Sequence, residues 1–229
     1  MKRETGFTLA EVLIAIVIIG VIATMTIPYI INTTKDKETV SRLNKTYSTL
    51  SQALNSSKAF NGDFSTWAMM DNNTNSISDA FDFYVQPHLK TIKVCVETEG
   101  CWSTIPTKSF NGSTTATGAS TKGIGTNVVS FILADGTFVS MDVYGNSIET
   151  TFGVVENLIY PTLTFATDLN GDKGPNQLGK DVFTFVVVQN GLVPSGIDSG
   201  SSKCYNGATG SYAGYDCAAK VLKTGSTKY

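Results

Sequence analysis

Residues 7–31 read FTLAEVLIAIVIIGVIATMTIPYII, and this stretch decides how the chain begins to fold. A transmembrane helix needs about 20 apolar residues, and the run is long enough, with Glu11 as its only charged side chain. Lys2 and Arg3 precede it, so the positive-inside rule predicts a cytoplasmic N-terminus and a chain that continues outside the cytoplasm. A secretory signal peptide is the alternative, but its apolar region spans only about 7–15 residues and ends in a small-x-small cleavage site.

Glu11 is the first candidate functional residue. A lone carboxylate in lipid is costly unless it has a partner, which makes an acid in an apolar helix a functional hypothesis by default. Its place near the start of the helix is also favoured by the helix dipole, by about 0.3–1 kcal/mol when exposed. The alternative is an interfacial carboxylate without a further role.

Residues 6–13 read GFTLAEVL, and with the basic leader and the apolar run they resemble the N-terminal signal of type IV prepilins and type II secretion pseudopilins. The resemblance implies that a prepilin peptidase cuts after Gly6 and that Phe7, the new N-terminal residue, is N-methylated. It also implies that Glu11 pairs with the N-terminal amine of a neighbouring subunit during assembly. A buried carboxylate and a buried ammonium each need such a partner.

Gly20 and Pro28 match a glycine and a proline of the same family, between which the helix can melt in assembled filaments. The residues themselves also predict a weak point, because glycine costs a helix about 1 kcal/mol and proline about 3 kcal/mol. The first part of the chain is therefore predicted to hold a leader (1–6), a transmembrane assembly helix (7–31) and an amphipathic continuation of the helix (32–60).

The continuation carries one narrow apolar stripe. The apolar residues follow one another at alternating helical spacings of three and four: Val40, Leu43, Tyr47, Leu50 and Leu54. Asn61-Gly62-Asp63 predicts the end of the helix. The stripe predicts that this part of the helix packs on an extracytoplasmic globular head formed by residues 61–229.

The head is predicted to contain a small antiparallel sheet. A short helix is expected over residues 76–90, with Ser78 as its N-cap, Pro87 near its end and one apolar face formed by Phe81, Tyr84 and Val85. Residues 91–96 predict a strand. Two hairpins are expected around Asp-Gly and Asn-Gly turns, joining 128–133 to 137–143 and 183–188 to 192–193.

Three or four antiparallel strands behind a long helix predict an α+β fold, with the helix stripe on one sheet face. The pilin resemblance implies the same architecture. Residues 110–126 are rich in Gly, Ser and Thr and predict a mobile surface loop.

The four cysteines are Cys95, Cys101, Cys204 and Cys217, which allow three disulfide connectivities. Short loops favour the pairs 95–101 and 204–217, although the sequence does not choose among the three. The predicted location outside the cytoplasm lets disulfides persist.

Residues 168–176 read DLNGDKGPN and form the candidate metal site. Asp168, Asn170 and Asp172 alternate as oxygen ligands do in calcium loops, and Gly174 permits the bend. Some pseudopilins carry a calcium site in a C-terminal loop, so the resemblance adds to this hypothesis.

The stretch departs from an EF-hand loop at two positions. Lys173 stands where the loop has its glycine, and Gly179 stands where the bidentate glutamate belongs. Asp181 lies two residues further and can substitute. A plain turn is the alternative, because Asn-Gly, Asp and Gly-Pro all favour turns.

Composition and the absence of known motifs argue against several classes of function. The net charge is −2 and His88 is the single histidine, which argues against nucleic-acid binding and against multi-histidine metal centres. No phosphate-binding, dinucleotide, zincin or nucleophile-elbow motif occurs, so we expect no enzymatic activity.

The leading interpretation is a structural subunit, inserted in the inner (cytoplasmic) membrane as a single-pass precursor with its head outside. Its partners would be the prepilin peptidase and methyltransferase and other pilin or pseudopilin subunits. The product would be a periplasmic type II secretion pseudopilus or a type IV pilus at the cell surface, including one for competence. The alternative is a minor tip subunit with an adhesive head, which would bind through residues 110–126 and through Tyr205, Tyr212 and Tyr215.

Overall fold

Helix α1 (Leu9–Asn61) opens the fold in the computed structural model of this protein. Contacts divide the chain into two compact units, Met1–Glu38 and Thr39–Tyr229, and α1 contributes residues to both. The structure describes residues 6, 8–68, 73–112, 115–116, 118–200, 202–210 and 212–229.

The first unit contains the apolar half of α1. Every residue from Leu9 to Ile31 is described, and none of these side chains is buried within the chain. An 18-residue window of α1 has a mean hydropathy of 2.5, and within the described ranges α1 is the one helix long and apolar enough to cross a membrane. These properties are consistent with a membrane-anchored precursor.

Helix α1 ends where the sequence predicted. Its last residue is Asn61, and Gly62 follows with φ +82°, in the left-handed region that favours glycine. The Gly62 N–H donates to the Lys58 carbonyl oxygen at 2.9 Å, which closes the last turn of the helix.

The helix predicted over residues 76–90 is present with different bounds. Helix α2 spans Thr74–Ala80, and the chain continues through a π-helical turn and a 3-10 turn to His88. The predicted N-cap Ser78 is wrong: the cap is Asn73, whose side chain accepts a backbone N–H three residues later at 3.0 Å. The predicted apolar face is buried, namely Phe81, Tyr84 and Val85.

The second unit contains a six-stranded antiparallel sheet. In chain order the strands of the head are β1 (Thr91–Val96), β2 (Ala119–Ser120), β3 (Gly123–Ile124), β4 (Val129–Leu133), β5 (Phe138–Tyr144), β6 (Thr162–Asp168), β7 (Val182–Val188) and β8 (Gly191–Pro194). The large sheet has the order β1-β4-β5-β6-β7-β8, and β2 pairs only with β3 in a separate ribbon. The fold is α+β and pilin-like, as predicted: a long N-terminal helix followed by an antiparallel sheet.

Both predicted hairpins are confirmed. In one, Val129 of β4 pairs with Met141 of β5, and in the other Val186 of β7 pairs with Val193 of β8. The prediction of three or four strands is wrong because it missed β6. This strand pairs with β5 on one side and β7 on the other, and it joins the two hairpins into one sheet.

One face of the sheet packs on the second half of α1. Leu43, Leu50 and Leu54 are buried in the same core cluster as the inward residues of the strands. Tyr47 stacks on Phe185 of β7, with ring centroids 5.6 Å apart. The predicted stripe is therefore the core contact of α1.

The opposite face is also covered. Along β7, Phe183 and Phe185 belong to the cluster under α1, whereas Val182 and Val186 belong to a second cluster on the other side. That second cluster includes residues of helix α3 (Ile148–Phe152). The two buried faces explain why every residue of β7 is buried.

The segment 110–126 is not the free surface loop that its composition predicted. In its described part, Phe110 and Ile124 are buried, and β2 and β3 form their own ribbon. Gly125 has φ +131°, and a Cβ there would lie 2.3 Å from Oδ2 of Asp142. The glycines of this segment therefore allow close packing on the sheet.

Two disulfides complete the head. Cys95 bonds Cys101 and Cys204 bonds Cys217, which are the two pairs that the short loops favoured. The second disulfide ends at the first residue of helix α4 (Cys217–Thr224), which the sequence analysis did not predict.

Candidate functional site

The N-terminus of α1 is closed by Thr8 and Glu11. The Thr8 N–H and hydroxyl both donate to Oε2 of Glu11 at 2.8 Å, and the Glu11 N–H donates back to the Thr8 hydroxyl at 3.3 Å. This reciprocal capping box satisfies free N–H groups of the first turn. Glu11 is a residue that the sequence predicted, whereas the role of Thr8 was missed, although the Thr-x-x-Glu spacing indicates a capping box.

The other predicted processing and assembly residues lie on both sides of this cap. Gly6 is exposed, and Phe7, the predicted methylation site, lies outside the described residues together with residues 1–5. Helix α1 continues through Gly20 and Pro28. Apart from its chain neighbours and the nearby backbone of α1 itself, no described atom lies within 4 Å of a Cβ placed on Gly20.

The second candidate site lies in the loop between β6 and β7, residues 169–181. Asp168 is the last residue of β6 and pairs with Val182, the first residue of β7, so Asp181 lies beside it across the hairpin. The exposed fractions are 0 % for Asp168 and 3 % for Asp181. Two carboxyl groups are therefore buried at one end of the hairpin.

Asp168 fixes the start of the loop. Its Oδ1 accepts the backbone N–H of Asn170 at 3.2 Å and that of Gly171 at 3.1 Å. Gly171 has φ +63°, a conformation that glycine adopts at little cost. The loop therefore turns around one oxygen of Asp168 and leaves the other oxygen for a different contact.

Asp181 fixes the end of the loop. Its Oδ1 accepts the Gln177 N–H at 2.7 Å, and its Oδ2 accepts the Asn176 N–H at 2.9 Å. The side-chain amide of Asn170 also donates to Oδ2 of Asp181, at 3.2 Å. Asp181 thereby ties both limbs of the loop together.

Three buried oxygens, one on Asp168 at the end of β6 and two in the loop, have no hydrogen-bond partner among the residues that the structure describes. They are Oδ2 of Asp168, Oδ1 of Asn170 and Oδ1 of Asn176. The amide of Asn176 is oriented by its nitrogen, which donates to the Ser103 hydroxyl at 2.7 Å and to the Ile105 carbonyl at 3.4 Å. Because the carbonyl only accepts, the Asn176 oxygen must be the free atom.

The surroundings of Asp168 and Asp181 disfavour an uncompensated negative charge on either carboxyl group. Burial, and then the negative charge of Asp181, raise the pKa of Asp168 to about 8. Burial likewise raises the pKa of Asp181, although the N–H groups of Gln177 and Asn176 oppose the shift.

The other two ligands predicted in the loop lie at the surface. Asp172 and Gly174 are exposed on the loop, and Asp172 acts on Asp168 only as a further negative charge. Within the described part of the chain, no three His, Cys, Asp or Glu side chains are grouped to hold a metal. Any cation here would depend on amide oxygens, and Asn176 is the candidate that the alternating pattern missed.

Comparisons with known proteins match the apolar start of the chain and the rest of the chain separately. Residues 1–27 match the prokaryotic N-terminal methylation motif, and residues 29–229 match a family described as a family of unknown function, DUF6613. The chain belongs to the DUF6613 family. No curated protein and no solved structure matches it. The methylation motif confirms the prepilin-type signal and supports a subunit that a prepilin peptidase processes.

The head of this DUF6613 protein offers less aromatic surface than the sequence predicted. Tyr205 and Tyr212 are exposed, with 53 % and 44 % of their surface accessible. Tyr215 is 1 % exposed and belongs to the second core cluster, where its ring packs edge-on against Phe152. The prediction that Tyr215 contributes to a contact surface is therefore wrong.

Proposed function

We propose that this protein is a structural subunit that polymerises through the first half of α1, in a type II secretion pseudopilus or a type IV pilus. The observation that supports this proposal most strongly is that residues 9–31 are apolar but exposed. The segment is apolar on all sides, yet none of its side chains is buried by the rest of the chain. Such a helix needs lipid or other helices around it.

In a bilayer, apolar contact alone gives little drive for helices to associate, because lipid chains are as apolar as leucine. A polar interaction must therefore select the neighbour and its register. Glu11 is the one charged side chain between Leu9 and Ile31. Cleavage after Gly6 would create an ammonium group on Phe7, a partner of opposite charge that only processed copies carry.

The capping box supports this role by holding the carboxylate near the end of the helix. Thr8 donates both of its hydrogen bonds to Oε2 of Glu11 and none to Oε1. An incoming ammonium can therefore bind without opening the cap. In our proposal the precursor spans the inner membrane once, the head lies outside the cytoplasm, and the subunit has no enzymatic activity.

The experiment separates capping from assembly. Glu11→Gln keeps an oxygen that accepts from Thr8, because glutamine also forms capping boxes, but it removes the charge. We expect this variant to be cleaved and methylated normally, since the Gly6–Phe7 junction is unchanged, and to be absent from filaments. Glu156→Gln, at an exposed position on the head, is the matched control and should assemble like the wild type.

The measurement is mass spectrometry of sheared surface filaments and of membranes from cells that make each protein. A methylated peptide beginning at Phe7 in the sheared fraction would support a surface pilus, and the same peptide only in membranes would support a short pseudopilus. Stoichiometry in the filament separates a major subunit from the alternative minor tip subunit. Assembly of Glu11→Gln at the wild-type level would overturn the proposed charge pairing.

A further inference from the structure

We propose that a groove between α1 and one end of the sheet binds an acidic sugar, that is, a hydroxylated ring with one carboxylate. Residues of α1 line the groove on the helix side, and residues 88–90 and 133–135, at the start of β1 and the end of β4, line it on the sheet side. Its volume of about 360 Å³ lies in the range of small-molecule sites. The inference concerns the head alone and does not depend on how the subunit assembles.

The groove combines a polar wall with an apolar base. Lys45, Thr49 and Gln52 line it at helical spacings of four and three, so they form one stripe along α1. At the base, Ala53 and Leu133 are only 5 % and 3 % exposed. An apolar base with a few placed polar groups is typical of small-molecule sites. It suits a sugar, whose ring has apolar faces and a polar edge.

Two contacts join the helix side of the groove to the sheet side. The Lys45 ammonium pairs with Oδ2 of Asp135 at 3.0 Å, and the Ser56 hydroxyl lies 3.0 Å from Nδ1 of His88, within hydrogen-bond distance. At about 1.5 Å per residue, Lys45 and Ser56 lie roughly 16 Å apart along α1. The two sides are therefore held together in the free protein, which lowers the cost of ordering the site around a ligand.

The charges that line the groove favour a ligand with one negative charge. Lys45 and Lys90 are positive and Asp135 is negative, and the ion pair of Lys45 with Asp135 cancels two of the three. Within the described ranges Lys90 forms no ion pair, so its ammonium is the cation available to a ligand. One excess positive charge matches a carboxylate. Phosphate groups are more often held by a helix N-terminus or by bidentate arginine, and neither lines the groove.

The backbone on the sheet side argues against an extended peptide as the ligand. A peptide that adds to a sheet edge binds through main-chain hydrogen bonds. Here the Ala134 N–H already donates to the Lys90 carbonyl at 3.1 Å. Recognition therefore depends on side chains. The Thr49 hydroxyl and the Gln52 amide can each donate and accept, as the hydroxyl groups of a sugar do, and a hydrogen bond of 2.8 Å to the Ser48 hydroxyl orients the amide of Gln52.

The test uses the full-length protein in micelles of a detergent without a sugar headgroup, at constant ionic strength. Saturation-transfer NMR measures binding of sodium glucuronate and of glucose, which lacks the carboxylate. We expect a Kd on the order of 1 mM for glucuronate and about tenfold weaker binding of glucose. The methyl glycoside of glucuronate distinguishes two sources of the ligand: equal binding indicates a sugar unit within a chain, and loss of binding indicates the free acid.

Two variants separate recognition of the charge from recognition of the ring. Lys90→Gln should weaken glucuronate about tenfold and leave glucose unchanged, so that the preference for the acid disappears. Thr49→Val keeps the shape of the side chain but removes its hydroxyl, and should weaken both sugars by a similar factor. Lys223→Gln is the matched control for the loss of one positive charge. Lys223 is exposed on α4 and does not line the groove, so this variant should bind both sugars like the wild type.

Three results would overturn the proposal. The first is a wild-type protein that binds glucuronate no more tightly than glucose. The second is equal weakening of glucuronate by Lys90→Gln and Lys223→Gln, which would indicate general attraction of an anion to the protein. The third is no binding of glucuronate at about 10 mM together with a loss of Lys90→Gln from filaments, which would assign the groove to a contact between subunits.

Discussion

Two leucines on the same helix show how differently the halves of α1 are used. Leu13 is 50 % exposed and Leu50 is 1 % exposed, although both lie in continuous α-helix. The backbone is satisfied within the helix in both places. The difference lies in where the side chains find partners: the head supplies them for Leu50, and nothing in the described chain supplies them for Leu13.

The sequence encodes this difference in its pattern. Around Leu50 the apolar residues form one stripe, so a single sheet face can cover them. Around Leu13 the helix is apolar on all sides, and a single face could not cover it. The pattern of the first half is therefore consistent with the proposed lipid or helical neighbours, whereas the second half packs on the head of the same chain.

Truncation of the two leucines should reveal the largest difference between the halves of α1. Leu50→Ala removes buried methyl groups and leaves a cavity, so we expect the free energy of unfolding of the head to fall by about 2–5 kcal/mol. Leu13→Ala should leave it unchanged. The measurement is urea unfolding in micelles, followed by the fluorescence of the buried Trp102. Equal losses in the two variants would show that the halves do not differ as described.

The Cys204–Cys217 disulfide should give the next largest effect. It closes a loop with a sequence separation of 13, and in the chain-entropy model a loop of about this length stabilises the fold by about 3 kcal/mol. Cys204→Ser with Cys217→Ser should destabilise the head by that order and leave hydrogen exchange of residues 12–31 unchanged. Loss of protection in residues 12–31 would mean that the first half depends on the head.

A buried acid in the head should make its stability depend on pH. Asp142 is 4 % exposed, and burial, with a smaller contribution from the Glu97 charge, raises its pKa to about 7; the Val143 N–H opposes the shift. Between the unfolded pKa, about 4, and pH 7, the folded state holds more protons than the unfolded state. Stability from this group is therefore present at acidic pH and is lost as pH rises toward 7.

Asp142→Asn isolates this contribution. Between pH 5 and pH 8 the wild type should lose about 2.5 kcal/mol more stability than the variant, since each pKa unit corresponds to about 1.4 kcal/mol. Other buried carboxyl groups keep their own pH dependence in both proteins. Urea unfolding at the two pH values measures the difference, and parallel pH profiles would show that Asp142 titrates normally.

Sequence reasoning succeeded where a local pattern carries the information. The spacing of Leu43, Tyr47 and Leu50 predicts their packing on the sheet, and Asp135-Gly136 predicts the β4–β5 turn. Strand β6 was missed because no tight turn precedes it: residues 145–161 separate it from β5 and include α3. Its place is set by pairing with β5 and β7, which are non-local contacts.

The candidate ion site shows the same limit. Asp168 and Asn170 follow an alternating pattern, which predicts them as ligands from the sequence alone. Asn176 lies outside the pattern and is oriented by Ser103, which is 73 positions away in the sequence. Asp172 fits the pattern but lies exposed. A spacing rule selects residues on one loop, whereas packing decides which of them point inward.

The smallest expected effect concerns the cap of α1, where the first half has its own internal contact. Thr8→Ala removes the hydroxyl that bonds Glu11 and should cost the first turn about 1 kcal/mol. Thr8→Ser keeps the hydroxyl and is the matched control. Hydrogen exchange should quicken at the first turn in the alanine variant, while urea unfolding of the head stays unchanged. The same quickening in Thr8→Ser would show that the methyl group and not the cap is responsible, whereas unchanged exchange in both would mean that lipid or neighbouring helices, and not Thr8, fix the start of α1.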